Sequence, residues 1–138
     1  MKKILSITVL FFLIYLTGCT DDESVNAGIY NTPIFSQTTD ALSYSLVADS
    51  YTSNAAYNLS FTSDSLAYSL IITSYFSGIS SMRIKDSSGA VIYVDTLQGN
   101  RVYSIVEKAQ GIPQRFEIDF DHFTGKINFA LARSGGGI

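Results

Sequence analysis

Apolar and polar residues alternate along much of this chain with a period of two. Leu42, Tyr44 and Leu46 are separated by Ser43 and Ser45, and the same alternation runs from residue 57 to residue 62. Successive side chains of a β-strand point to opposite sides, so this pattern places one face on a core and the other in solvent. The alternation therefore predicts half-buried strands.

The alternating segments are short and are bounded by turn-forming residues. We interpret residues 49–54 as a polar connection, residues 86–89 as the turn of a hairpin, and residues 122–125 as the turn between the last two strands. After the first two segments, further strands are predicted at residues 66–72, 82–85, 90–94, 102–106, 116–120 and 127–131.

The composition agrees with strands. The chain has nine Tyr and nine Phe, no Trp, and only 15% charged residues. Aromatic, β-branched and hydroxylated side chains suit a pleated surface, whereas the wet face of a helix usually carries Glu and Lys. Short strands joined by closely spaced turns predict a single all-β domain, an antiparallel β-sandwich of immunoglobulin-like or jelly-roll type.

The N-terminal segment has the features of a secretory signal. Lys2 and Lys3 precede an apolar run over residues 4–17, which is shorter than the roughly 20 residues that a spanning helix needs. The run ends in Leu16-Thr17-Gly18-Cys19, which resembles the lipobox of bacterial lipoproteins. That resemblance implies cleavage before Cys19 and attachment of a diacylglycerol to its thiol, so the expected partner of this end is a membrane. Cys19 is the single cysteine, which excludes an internal disulfide.

We therefore predict a signal peptide at residues 1–18, a turn-rich tether at 19–38, a β-sandwich at 39–134 and a tail at 135–138. The second half of the tether is a candidate for an irregular first strand. The acidic run Asp21-Asp22-Glu23 resembles the export signal of some surface lipoproteins, but it equally fits a solvated spacer. The expected location is the bacterial cell envelope. We favour the outer membrane, and the side of that membrane stays open.

A second resemblance concerns the β domain. Residues 82–93, followed later by residues 124–131, look like the hairpins of small jelly-roll or immunoglobulin-like accessory domains of bacterial secreted proteins. The likeness implies a fold and transfers no binding residue.

The charge balance bears on the class of partner. Of the nine basic residues, Lys2 and Lys3 lie in the predicted signal, which leaves seven against twelve acidic residues and a net charge of about −5. Nucleic acid is excluded as an expected partner, because phosphate contacts are made by Lys and Arg.

The sequence offers little catalytic chemistry. His122 is the single histidine and lies beside Asp121, but zinc sites need three or four ligands and no second His is present. Glu117, Asp119 and Asp121 share one strand face, where they are too far apart to hold a calcium ion by themselves, so we interpret them as a solvated face paired with Arg or Lys. We predict no catalytic residue, no metal, no cofactor and no enzyme activity.

Aromatic residues outside the inward stripe are the remaining candidates for ligand binding. Tyr51, Tyr75 and Phe76 could stack on sugar rings, or they could cover the ends of the sandwich. The predicted function is a lipid-anchored, non-enzymatic structural or adhesion module that contacts other proteins. The alternative is a glycan-binding surface module that uses these rings.

Overall fold

The computed structural model describes residues 30–135, and these residues form an all-β, antiparallel structure. Within this range no helix is long and apolar enough to cross a membrane. The predicted signal peptide, Cys19 and the acidic run lie outside the described residues. The strands are β1 (Ile34–Thr38), β2 (Ala41–Asn58), β3 (Ser65–Ser77), β4 (Ser80–Lys85), β5 (Val91–Leu97), β6 (Arg101–Lys108) and β7 (Arg115–Arg133).

Two long strands, β2 and β7, run through both layers of the fold. They pair from Ala41 opposite Ala132 to Asn58 opposite Arg115, with irregular register between Ala48 and Ser53. The predictions of a loop at residues 49–54 and of a hairpin turn at residues 122–125 are therefore wrong. The chain bends there without reversing, as strands do when they pass from one sheet of a sandwich to the other.

The bend has a local backbone cause. Ser50 and His122 both have positive φ, 49° and 50° respectively. This left-handed conformation is uncommon for residues other than glycine and interrupts the extended geometry of each strand. Polar residues at a bend inside a strand look the same in sequence as polar residues in a turn.

The bends divide the hydrogen-bonded ladder into two layers. The first half of β7 and the second half of β2 combine with β4 and β5 in the order β2, β7, β4, β5, which we call the four-stranded sheet. The other halves combine with β1, β3 and β6 in the order β1, β2, β7, β3, β6, which we call the five-stranded sheet.

The core lies between these layers. Phe116 and Phe129 belong to the same strand, yet their rings stack with centroids 5.5 Å apart because β7 folds back over itself. Tyr68 of β3 stacks on Tyr93 of β5 at 4.7 Å, which joins the other side of the two sheets. This packing confirms the predicted β-sandwich.

The sequence-predicted hairpin is the connection between β4 and β5. The Asp86 carboxylate accepts hydrogen bonds from the Ser88 hydroxyl, at 2.7 Å, and from backbone amides of the turn. These bonds, the Ser88 hydroxyl foremost, hold the pKa of Asp86 below its ordinary value. The second half of the predicted tether also joins the domain, since β1 pairs with β2 and Tyr30 bridges to Val47.

Candidate binding surfaces

The outer face of the four-stranded sheet is charged. Glu117 accepts a hydrogen bond from the Arg115 guanidinium and pairs with the Lys85 ammonium, each at 2.8 Å. These partners, Lys85 foremost, hold the pKa of Glu117 below its ordinary value. Arg83 lies opposite Glu117 in the ladder, whereas Lys126 belongs to the other sheet. The predicted pairing of this acidic strand with basic neighbours is confirmed for Lys85.

The outer face of the five-stranded sheet is uncharged over three rows that lie between Lys126 and Lys108. Three rows of five residues cross its strands in register, and none of these side chains is charged or aromatic. Each of them is exposed or half-buried. We call these positions the uncharged face: Ile34, Ser45, Asn128, Ile71 and Val102 in one row, Ser36, Ser43, Ala130, Ser69 and Ser104 in the next, and Thr38, Ala41, Ala132, Ala67 and Val106 in the third.

The middle row of the uncharged face holds only Ser and Ala, so it is lower than the first row, which carries Ile34, Asn128 and Ile71. A depression of 260 Å³ lies over Ser43, Ser69 and Ala130. A second, of 170 Å³, lies over Ser36 and Thr38 at the edge. At usual strand spacings the three rows cover an area of about 19 by 13 Å.

Asn128 is the largest polar group on the uncharged face. Its side-chain oxygen accepts a hydrogen bond of 2.8 Å from the Ser45 hydroxyl. This bond orients the amide and directs its nitrogen, which can donate two hydrogen bonds, away from Ser45. Sequence reasoning did not identify this surface, although Ser recurs at alternate positions in several strands.

The His122 region does not assemble a metal site among residues 30–135, where no group of three or more His, Cys, Asp or Glu side chains comes together. The His122 ring lies 2.6 Å from the Asp121 carboxylate, and both side chains are largely exposed. His122 lies at the bend of β7 and not in a hairpin turn.

The candidate aromatics Tyr51, Tyr75 and Phe76 lie in strands β2 and β3 and not in loops as predicted, at the end of the sandwich where β7 bends. The rings of Tyr51 and Tyr75 are half-buried, Tyr51 against Phe120 at 5.4 Å and Tyr75 against Phe123 at 6.1 Å. The Tyr75 hydroxyl donates a hydrogen bond of 2.7 Å to the Gly78 carbonyl. Phe76 points the other way and is 84% exposed. The structure therefore brings Tyr51 and Tyr75 to one end of the core and leaves Phe76 in solvent.

A polar cluster closes the side of the sandwich between β5 and β6. The Asp95 carboxylate accepts hydrogen bonds from Arg101, at 2.6 Å, and from Tyr103, at 2.5 Å, while the Tyr93 and Tyr103 hydroxyls bond to each other. Burial raises the pKa of Asp95, but bonds from Tyr103, Arg101 and Tyr93 outweigh burial and leave that pKa below its ordinary value. The cluster ties the two sheets together at this edge.

The phenols of Tyr93 and Tyr103 in this cluster are half-buried between the two sheets. Burial raises the pKa of Tyr93 far above its usual range, and it raises the pKa of Tyr68 beneath it to about 12. Both phenols are therefore neutral at physiological pH. Sequence reasoning missed this cluster, although opposite charges at Asp95 and Arg101 flank the turn at residues 98–100 and could have indicated the pair.

Comparisons with known proteins assign no family to the chain. No protein-family model matches it, and no curated protein sequence matches it.

The solved structures to which the chain is similar include the following three. A structure described as "Bacillus endospore appendages form a novel family of disulfide-linked pili" has a TM-score of 0.41 and 11% identity, over 75% of this chain and 92% of that one. BiXyn10A CBM1, in its apo form, has a TM-score of 0.38 and 12% identity over 68% and 74%. CsCBM6-3 from Clostridium stercorarium, in complex with cellobiose, has a TM-score of 0.36 and 12% identity over 78% and 91%. At these scores the neighbours, carbohydrate-binding modules and a pilus protein, decide nothing about the function of this chain.

Proposed function

We propose that this chain is a lipid-anchored, non-enzymatic interaction module of the bacterial cell envelope, and that it presents its uncharged face to another envelope component. The observation that carries the proposal is the contrast between the two outer faces. One has several charged residues, whereas the other has fifteen adjacent positions without a charge.

The uncharged face suits contact with a broad, flat partner. Charged residues are depleted from the centres of protein interfaces because their desolvation is costly. The small side chains of Ser43, Ser69 and Ala130 allow a partner to come close to the backbone. Hydroxyls and the Asn128 amide offer hydrogen bonds without burying an ion.

The anchor rests on Leu16-Thr17-Gly18-Cys19. Two or three acyl chains hold a protein at a membrane much more firmly than one, because each buried methylene contributes about 0.8 kcal/mol. The anchored domain would then stay at the membrane surface, where the uncharged face can meet its partner.

Cys19→Ala is expected to abolish lipid attachment. In cells grown with a labelled fatty acid, the wild-type protein should become labelled and Cys19→Ala should not, since Cys19 is the single cysteine in the chain. Ser24→Ala, a neighbouring small change outside the lipobox, serves as the control and should be labelled like wild type. Equal labelling of wild type and Cys19→Ala would rule out the anchor.

Glycan binding at the exposed aromatic is the second candidate function. Phe76 is 84% exposed and points away from the half-buried Tyr75, so its ring is a flat apolar surface in solvent. Such a ring can stack on a sugar.

Under this second candidate, Phe76→Ala should weaken retention on an insoluble polysaccharide by about tenfold, and the free energy of unfolding should change by no more than about 0.5 kcal/mol. Cellulose, starch and chitin are the polysaccharides to test by co-sedimentation. Ile79→Ala, which removes an exposed apolar side chain nearby, is the control. If wild-type protein binds none of the three polysaccharides, they are excluded as ligands of the Phe76 ring.

A further inference from the structure

Strand β6 is a long, regular and apolar edge of the five-stranded sheet. Among the described residues it pairs with β3 alone, in unbroken register from Ser65 opposite Lys108 to Ile72 opposite Arg101. Val102 and Val106 on its outer side are 71% and 65% exposed. An edge with these properties presents a row of backbone N–H and C=O groups that can pair with another strand.

The sequence of β6 is complementary to itself when two copies run antiparallel. With Ser104 opposite the partner's Ser104, Val102 lies opposite the partner's Val106, and Tyr103 opposite the partner's Ile105. In the same register Arg101 lies opposite the partner's Glu107. Opposing residues of an antiparallel pair lie on the same face of the sheet, so their side chains contact each other. In this register serine meets serine, apolar residues meet apolar residues, and a basic residue meets an acidic one.

Shifting the register removes this match. Sliding one copy by two residues in one direction places Tyr103 opposite the partner's Glu107 and Val102 opposite the partner's Lys108. Sliding the other way places Arg101 opposite the partner's Ile105 and leaves Glu107 beyond the paired strand. A single register therefore satisfies both the apolar and the charged positions.

We propose that β6 pairs with β6 of a second copy of this chain, antiparallel, about a two-fold axis at Ser104. Each unlike pair then occurs twice, as in any isologous interface. The two five-stranded sheets become one continuous sheet. The uncharged faces of both copies lie on the same side, and the middle row continues from Ser69 through Ser104 into the partner.

Two of the other edge strands, β1 and β5, fit a second copy less well. β1 has five residues, and β5 pairs with β4 through an irregular register between Ile84 and Lys85. Short edges and bulged edges resist pairing with another chain. β6 has eight residues, no proline and no bulge.

Val106→Lys tests the pairing against a matched control. It places a cation in both Val102–Val106 pairs of the dimer, so dimerisation should weaken by about tenfold or more. Val94→Lys makes the same change at another exposed valine, 62% exposed, on the edge strand of the four-stranded sheet. The full-length lipoprotein in detergent, followed by sedimentation velocity, should be a dimer for wild type and Val94→Lys and a monomer for Val106→Lys.

A cross-link tests the axis independently. Ser104→Cys, oxidised in isolated membranes, should give a disulfide-linked dimer, whereas Ser43→Cys in the middle of the same sheet should not. Oxidised wild-type protein controls for Cys19. A monomeric wild type, an unchanged dimer in Val106→Lys, or open-ended polymers that pair β6 with β1 would each contradict the proposal.

Discussion

The Gly78→Ala variant is expected to lose about 3 kcal/mol or more of its free energy of unfolding. Gly78 has a φ of 93°, and a Cβ built on it would lie 2.6 Å from the carbonyl oxygens of both Asp121 and His122. These are backbone atoms at the bend of β7, so no side-chain rotation relieves the clash. Relief requires the connection between β3 and β4 to move away from β7.

A second glycine serves as a control, because it has a similar backbone conformation without the close contact. Gly89 has a φ of 86°, similar to that of Gly78, but a Cβ added to Gly89 would meet no atom within 4 Å. Gly89→Ala should therefore cost only the left-handed conformation, about 1–2 kcal/mol. Urea unfolding of both variants measures the difference. Equal losses would mean that the connection between β3 and β4 does not meet β7 at this bend.

Phe116→Ala is the second large effect and is expected to cost about 3–5 kcal/mol. Phe116 is fully buried at the centre of the sandwich, where its ring contacts Tyr44 and Tyr57 of β2 and Phe129 of β7. Truncation removes contacts with both sheets at once and leaves a cavity that rigid strands cannot close.

The control for Phe116→Ala is the same substitution on the surface. Phe76→Ala removes a ring that is 84% exposed and should change stability by no more than about 0.5 kcal/mol. Both variants are compared with wild type by urea unfolding. A loss of less than about 1 kcal/mol in Phe116→Ala would contradict the folding of β7 back onto itself.

The period-two pattern predicted the strand content and the inward residues well. Leu42, Tyr44 and Leu46 are buried as expected, and the hairpin between β4 and β5 has its predicted turn. The pattern could not show that β2 and β7 are each one strand. A bend between two layers uses polar residues with positive φ, such as Ser50 and His122, and turns use the same residues.

The uncharged face could not be predicted because it depends on strand order. Ser43, Ser69 and Ser104 lie far apart in sequence and fall into one row only when β7 inserts between β2 and β3. Single-strand alternation shows that each serine points outward, not which serines are neighbours. The sequence also did not distinguish Tyr75, which packs on the core, from the exposed Phe76, because the irregularity of β3 at Ser74, with a φ of 52°, reverses the alternation.

The accessibility of one cysteine on each outer face tests the central claim most directly. Ser43→Cys lies on the uncharged face and Asn54→Cys on the charged face, and both positions are exposed. Each variant is labelled with a maleimide in the native envelope and again after purification in detergent, with wild type as the background. We expect Ser43→Cys to be protected in the envelope and labelled once purified, while Asn54→Cys is labelled equally in both. Equal labelling of Ser43→Cys in both settings, or protection of Asn54→Cys alone, would contradict the uncharged face as the contact surface.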